Sequence, residues 1–473
     1  MNYQLPTVAL IGAALLLAFQ MPSSPEPIRL ITLDPGHFHA ALVQKSMYEG
    51  VDPVVRVYAP DGHPDLQMHL DRIKGYNART ENPTRWQEDV YRGSDFMAKM
   101  IADNRSDGKA TNVVVMSGNN RLKTDYIQQA VGAGFNVLAD KPMVINGSEF
   151  GRLQESFATA AKNKVLLYDI MTERFEISTL LQRAFSRQVA LFGTLEKGTP
   201  DKPAVTKESV HHFYKNVSGS ILTRPAWFMD VNQQGEGIVD VTTHLVDLVQ
   251  WECFPGQVID YKKDIRLTSA RRWTTDMNLS QFKAITKLPA FPDYLKGAGR
   301  GPKGVQDSVL RVFSNGEINY QLRGVHAKVS VVWAYAAPAG GGDTHYSIMR
   351  GTKANLTIRQ GAEQQYKPTL YIDAGDASPV SGNTNLEASL KAVLPAVQRE
   401  FPGIDVRPNG AGWVVSVPEK YNEGHEAHFG RVMQNYLSYL KAGKLPAWEV
   451  PNMIAKYYTT TQALALARKN SQE

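Results

Sequence analysis

Short apolar runs alternate with stretches of helical periodicity along the first third of the chain, and each run predicts an element. Ile28–Leu33 (IRLITL) reads as a strand, Val54–Tyr58 (VVRVY) as a second, and Asn112–Met116 (NVVVM) as a third, fully apolar one. Lys123–Gly134 follows with helical spacing and ends on glycine, a C-terminal stop signal. Phe135–Ala139 predicts a further strand, Ser148–Lys162 a helix and Val165–Tyr168 a strand. Strand and helix taking turns predicts a parallel, doubly wound α/β sheet.

From about residue 187 the pattern changes. Val309–Phe313 and Glu317–Leu322 flank Asn315-Gly316 and predict a hairpin with an Asn-Gly turn. Val329–Ala336, Thr344–Met349, Ala354–Ile358 and Pro368–Ile372 predict more strands, so this half reads as an α+β domain with an open, mostly antiparallel sheet. Leu386–Phe401 is an amphipathic helix and Ile404–Val417 a small αβ extension. Ala427–Lys441 and Val450–Arg468 predict two helices closing that domain. The organisation expected is a leader and linker over 1–27, a Rossmann-type domain over 28–170 and a C-terminal α+β domain over 171–473.

Composition narrows the function classes. With 43% hydrophobic and 21% charged residues over 473, the chain is an ordinary globular protein. Its net charge of +6 is spread without a basic run, which argues against nucleic acid as a partner. The lone Cys253 excludes an internal disulfide and a Cys-based zinc site, and no metal is expected. Val8–Phe19 is a 12-residue apolar run, short for a bilayer span, and reads as the core of a secretory signal, with an uncleaved anchor or a buried strand as the alternatives. The expectation is export, to a bacterial periplasm, with no stable membrane insertion once the signal is removed.

The first strand runs into Asp34-Pro-Gly36-His37-Phe38-His39-Ala-Ala41, a glycine turn opening a helix with small residues. That is the first unit of a dinucleotide-binding fold, in which helix N-terminal amides face a pyrophosphate. Of the three fingerprint glycine positions, Asp34, Gly36 and His39, only the middle one is glycine. The second strand leads to Asp61, 25 residues after Gly36, where a carboxylate favours NAD by binding the ribose hydroxyls; NADP stays open.

At Ala133-Gly134-Phe-Asn-Val-Leu-Ala-Asp140-Lys141-Pro142 the chain resembles the Gfo/Idh/MocA oxidoreductases, the family of glucose–fructose oxidoreductase and inositol dehydrogenase. Their Glu-Lys-Pro stands here as Asp140-Lys141-Pro142, and their Thr-Pro-Asn turn as Ser117-Gly118-Asn119. Lys123 takes the place of a histidine that often follows that turn. Their Gly-rich Asp-x-x-x-His helix stands as Gly235-Glu-Gly237-Ile-Val-Asp240-Val-Thr-Thr-His244. Met171-Thr-Glu-Arg174-Phe175 resembles the entry into the second domain. The order and spacing of these motifs cover about residues 28–255.

The resemblance implies a nicotinamide cofactor held by Asp34, Gly36, His37, Phe38, His39, Asp61, Ser117, Gly118, Asn119, Asp140 and Lys141. It also implies chemistry at Lys141, Asp240 and His244. His244 takes the proton of a carbinol, Asp240, four residues earlier on the same helix face, orients it, and Lys141 polarises the reacting oxygen. Arg174, Trp227 and Asp230 join these three in lining a sugar pocket. The expected activity is oxidation of a sugar or glycoside hydroxyl, with C3 the expected position, through hydride transfer to a tightly bound nicotinamide. Two alternatives stay open: a glycosidase or lyase working through a transient 3-keto intermediate, and a non-catalytic carbohydrate-binding subunit of the same fold. A homo-oligomer packed through the C-terminal sheet is implied by the resemblance alone. His211-His212, the Gly340–His345 loop and His425-Glu-Ala-His428 carry no chemistry in this reading, and Gly297–Gly304 reads as a mobile loop.

Overall fold

The computed structural model describes residues 27–105, 110–217, 220–296, 304–306, 308–375 and 382–470. The predicted signal and most of the Gly297–Gly304 loop lie outside them. Six strands build the first sheet: β1 (Ile28–Leu33), β2 (Val54–Ala59), β3 (Gln87–Arg92), β4 (Thr111–Met116), β5 (Asn136–Asp140) and β6 (Leu167–Ile170). All pairings are parallel, in the order β3-β2-β1-β4-β5-β6. The order reverses between β1 and β4, and ligands of such sheets bind in the crevice above the strand ends at that point. The apolar strands β1, β4 and β5 are covered on both faces, as their continuous hydrophobic sequence requires. β3 (QEDVYR) gave no strand signal because it is the edge: its residues are exposed or half-buried, and its sequence is polar.

The helices on this sheet are α1 (His39–Val43), α2 (Leu66–Ala78), α3 (Phe96–Asp103), α4 (Lys123–Gly132) and α5 (Phe150–Asn163). The second half adds α6 (Ile177–Ser186), α7 (Thr242–Cys253), α8 (Leu279–Thr286), α9 (Gly382–Glu400), α10 (His425–Ala442) and α11 (Glu449–Asn470). Its sheet follows a path of nine strands: β7 (Val205–Tyr214), β8 (Ile265–Asn278), β9 (Val309–Leu322), β10 (Val325–Ala336), β11 (Thr344–Arg350), β12 (Ala354–Gln360), β13 (Thr369–Ala374), β14 (Asp405–Asn409) and β15 (Gly412–Ser416). Along the path β8-β9-β10-β7-β11-β12-β13-β15-β14, every pair is antiparallel except β10 with β7. The segment expected to add a helix after residue 404 is instead the hairpin β14–β15 on the sheet edge.

The expected Asn315-Gly316 turn is not a turn. β9 runs unbroken through it, and the chain reverses at Arg323-Gly324, both at positive φ. A Cβ on Gly316 would lie 2.5 Å from the Cβ of Ile238, so the glycine is where another segment lies flat on the sheet. The Asn315 side chain accepts from Trp333 N at 2.7 Å and donates to Trp273 O, spanning the irregularity in the β8–β9 register. Turn chemistry was overridden by a tertiary contact.

The two C-terminal helices do more than close the second half. Phe429, Val432, Met433 and Tyr436 of α10 belong to the hydrophobic core of the first sheet, and Tyr436 Oη donates to Val137 O. α11 serves both cores, with Met453 and Tyr457 in one and Ala463 and Leu464 in the other. A buried ion network ties the halves together. Arg174 bonds both oxygens of Asp247 at 2.6 and 2.8 Å and reaches Glu449 at 3.0 Å. Lys456 joins Asp247 to Asp169 at 2.8 and 2.7 Å. Among the described residues, no helix is long and apolar enough to cross a membrane.

Candidate active-site cleft

A cleft of about 1130 Å³ opens between the C-terminal edge of the first sheet and the face of the second. Its floor is the β1–β4 reversal. The loops after these strands pack so closely that a Cβ on Gly118 would lie 2.1 Å from Asp34 O. Asp34 itself sits at φ 49°, and its carboxylate meets His63 Nε2 at 2.9 Å.

From β5 the chain delivers Asp140 and then Lys141, whose bond to Pro142 is cis. Asp140 is buried and crowded with donors: His39 Nδ1 at 2.8 Å, Ser117 Oγ at 3.0 Å and the Lys141 amide at 3.0 Å. Burial works to raise its pKa, but His39, Lys123 and His37 together outweigh it and hold the carboxyl well below the usual range. Lys123 lies behind this corner, buried, donating to Asp140 O and Asn120 Oδ1, with burial pushing its ammonium down to about 8.

Lys141 Nζ points across the cleft to Asp240 Oδ1 at 2.6 Å. Burial alone would lower its pKa; Asp240, then Asp140, outweigh that and raise it. The Asp240 segment is placed by glycine. A Cβ on Gly237 would lie 1.8 Å from Ser314 O, so only glycine lets residues 235–240 lie on β9 and present Asp240. The second Asp240 oxygen accepts from Gln234 Nε2 at 3.1 Å.

His244 lines the same wall, 9% exposed, and its Nδ1 has no hydrogen-bond partner among the described residues. Burial, then Lys141 and His425, push its pKa well below 6.5, so the imidazole is neutral at pH 7. Here the structure corrects the sequence reading. α7 begins at Thr242, after Asp240, so the two residues do not share a helix face, and Asp240 holds Lys141 rather than orienting His244.

The structure thus brings together His37, Phe38, His39, Gly118, Asp140, Lys141, Asp240 and His244 in one cleft. It does not bring Arg174, which is 6% exposed and spent on Asp247 and Glu449. Nor does it bring Asp61, exposed in its turn; the acid of that loop facing inward is Asp65, which accepts from Trp227 Nε1 at 2.7 Å. Trp227 packs over Gly36, and Asp230 is turned to Asn232 and Gln233. Asn119 donates to Gln233 at 2.6 Å, tying the floor to the same segment.

Three clusters discounted in the sequence line the cleft after all. His212 and Lys215 of the β7 region meet Asp343 at 2.9 and 2.6 Å, with His211 at 3.6 Å, so the strand and the Gly340–His345 loop form one wall. His425 comes from α10, and Glu173 and Glu176 from the domain entry. Burial raises the Glu173 pKa, and burial with Glu173 pushes Glu176 up to about 7. Their signal was long-range pairing, which local spacing does not carry. His37, His39 and Asp140 bring three donor atoms within 4.8 Å of one another, a set of metal-ligand type. Lys123, Lys141 and Arg224 make that corner positive, which disfavours a cation there.

Residues 181–468 match the family model described as "Putative oxidoreductase C terminal domain". A crystal structure described as "a putative oxidoreductase from Parabacteroides merdae" is 53% identical, covers 94% of this chain and 99% of its own, and superposes with a TM-score of 0.89. Levoglucosan dehydrogenase, solved with NADH and levoglucosan, covers 94% of this chain and 98% of its own at 11% identity and a TM-score of 0.56. Biliverdin reductase from Synechocystis sp. PCC 6803, solved with biliverdin and NADP+, covers 93% and 99% at 11% identity and a TM-score of 0.54. No curated protein matches the chain in sequence. The chain belongs to the oxidoreductase family carrying that C-terminal domain, and its fold is that of the nicotinamide-dependent Gfo/Idh/MocA oxidoreductases.

Proposed function

We propose that the protein oxidises or reduces a sugar or glycoside at a hydroxyl-bearing carbon, at C3 in the first instance, with NAD or NADP. The observation that carries this reading is the pairing of a held cation with a free base in one wall: Lys141 on Asp240, and His244 with an unpartnered, buried Nδ1. The residues present fit the cofactor at the β1–β4 reversal, where Gly118 lets the two loops pack together at the strand ends and His244 offers an unused polar atom. Asp140, Lys141, Gly118 and the His37–His39 turn would hold it. A bound nicotinamide takes or returns the hydride.

The protein's own part is protonic and electrostatic. Neutral His244 accepts the hydroxyl proton as the carbinol C–H bond gives up its hydrogen with the electron pair. The Lys141 ammonium, fixed by Asp240, stabilises negative charge on that oxygen. Trp333, Asp343 and His211 offer an aromatic face and polar edges suited to a sugar ring.

A specific observation favours the redox-neutral alternative as second reading. Glu173 and Glu176, both with raised pKa, supply the acid–base pair that elimination at a 3-keto sugar needs beyond the redox step. Export and assembly through the C-terminal sheet belong to the same proposal. The test is to denature freshly purified protein and identify released nucleotide by mass, then to screen sugars and glycosides for turnover. A folded protein without nucleotide that also fails to bind added NAD or NADP overturns the reading. His244→Ala should lose turnover and keep cofactor binding; undiminished turnover excludes its role as base.

A further inference from the structure

Arg224 is buried, 7% exposed, yet it lines the cleft and has no ion-pair partner among the described residues. Its Nε donates to Phe213 O at 3.1 Å and Nη2 to His212 O at 3.2 Å. Its guanidinium lies over the rings of Phe228 and Trp333, with centroids 4.9 and 5.0 Å away. Carbonyls and aromatic faces fix the fork in place but leave its charge uncompensated. The carboxylates in electrostatic reach, Asp343 and Asp240, are already engaged, by His212 with Lys215 and by Lys141. A buried, rigid and unneutralised guanidinium is costly unless a ligand completes it.

Position supports that conclusion. Besides the cleft, Arg224 lines a slot of about 20 Å³ between Pro35–Phe38 and Leu222–Pro225. It faces the first glycine turn from the opposite side and adds to the positive field around His37.

We propose that Arg224 is an anion receptor that donates hydrogen bonds to the phosphate or carboxylate oxygens of what fills the cleft. The proposal rests on the oxidoreductase reading for its two sources, the diphosphate of the cofactor or a carboxylate on the sugar. Arginine suits either, because its planar fork meets both anions with two parallel bonds. The second domain would then supply a charge that the degraded glycine turn lacks.

Trp333 stacks on Arg224, so intrinsic tryptophan fluorescence reports binding of inorganic pyrophosphate, D-glucuronate and NADH, each titrated separately. The proteins compared are the full chain, Arg224→Met and Arg224→Lys, the lysine keeping the charge without the fork. Wild type is expected to bind at least one anion at millimolar concentration. Arg224→Met should weaken that binding by roughly tenfold or more, with Arg224→Lys in between. Loss of pyrophosphate and NADH affinity together assigns the cofactor diphosphate; loss of glucuronate affinity alone assigns the substrate. A wild type that binds neither anion overturns the proposal whether or not a variant folds, as do unchanged affinities in a folded Arg224→Met. If NADH never binds but pyrophosphate or glucuronate affinity depends on Arg224, the nicotinamide reading fails and the receptor stands.

Discussion

Replacing Asp240 by asparagine removes one charge and almost no volume from the wall of the cleft. The lost partner is Lys141 Nζ at 2.6 Å, with both side chains at most one-tenth exposed. At an effective dielectric of about 20, charges that close attract by roughly 6 kcal/mol, and burial takes back part of it. Removing one member of a buried pair costs about 3–5 kcal/mol, since the other charge stays behind. Asp140 also faces Lys141, so the lower end, about 3 kcal/mol, is the expected loss of stability. The raised lysine pKa sets the pH range. Its contribution is complete below the unfolded-state value near 10.5 and fades as pH rises through the higher folded value. The difference between parent and variant must therefore be at full size at pH 7–8. Denaturant midpoints measure it, and hydride transfer followed at 340 nm gives the second readout. A displaced Lys141 should lower kcat by about tenfold to a hundredfold, with a smaller effect on KM. An Asp240→Asn protein with the parent's midpoint and the parent's kcat would refute the pairing as the holder of Lys141.

Three further outcomes follow from the same geometry. His244 is kept neutral with a lowered pKa, so it opposes folding as pH falls from about 6.5 toward its folded value; His244→Gln should make the stability-versus-pH slope between pH 6.5 and 5 shallower by up to one proton, and an identical slope refutes the burial argument. Arg174→Ala should lower stability by about 3 kcal/mol by stranding Glu449 and leaving Asp247 with Lys456 alone, while cofactor affinity of the folded protein, read by NADH fluorescence, stays unchanged. Gly118→Ala puts a methyl 2.1 Å from a backbone oxygen and should cost about 1–3 kcal/mol and weaken cofactor binding, whereas an undisturbed midpoint would mean the two loops separate freely.

The local pattern alone determined the α/β character of the first half and the strands that carry the motifs. β1, β4 and β5 are buried on both faces, and such strands must be continuously apolar, so they stand out in any window. Asp140 and Lys141 were placed at a strand end because the apolar run stops there. β3 escaped because this edge strand is at most half-buried and so carries no continuous apolar run. What only the tertiary structure decided is which side chains meet. Asp240 reaches Lys141, 99 residues away, because two glycines let one segment lie flat on β9; the spacing to His244 suggested a different partner. The same contact turned Asn315-Gly316 from a turn into mid-strand. Arg174 looked like a cleft residue by its neighbours in sequence and became the centre of a buried ion network through α11. His212 and Asp343 looked inert singly and are 2.9 Å apart, one on β7 and the other in the loop that leads into β11. Periodicity records which face of an element is buried, and a chain's local sequence carries that. The partner of a charge is set by packing between distant segments, and only the folded molecule holds that information.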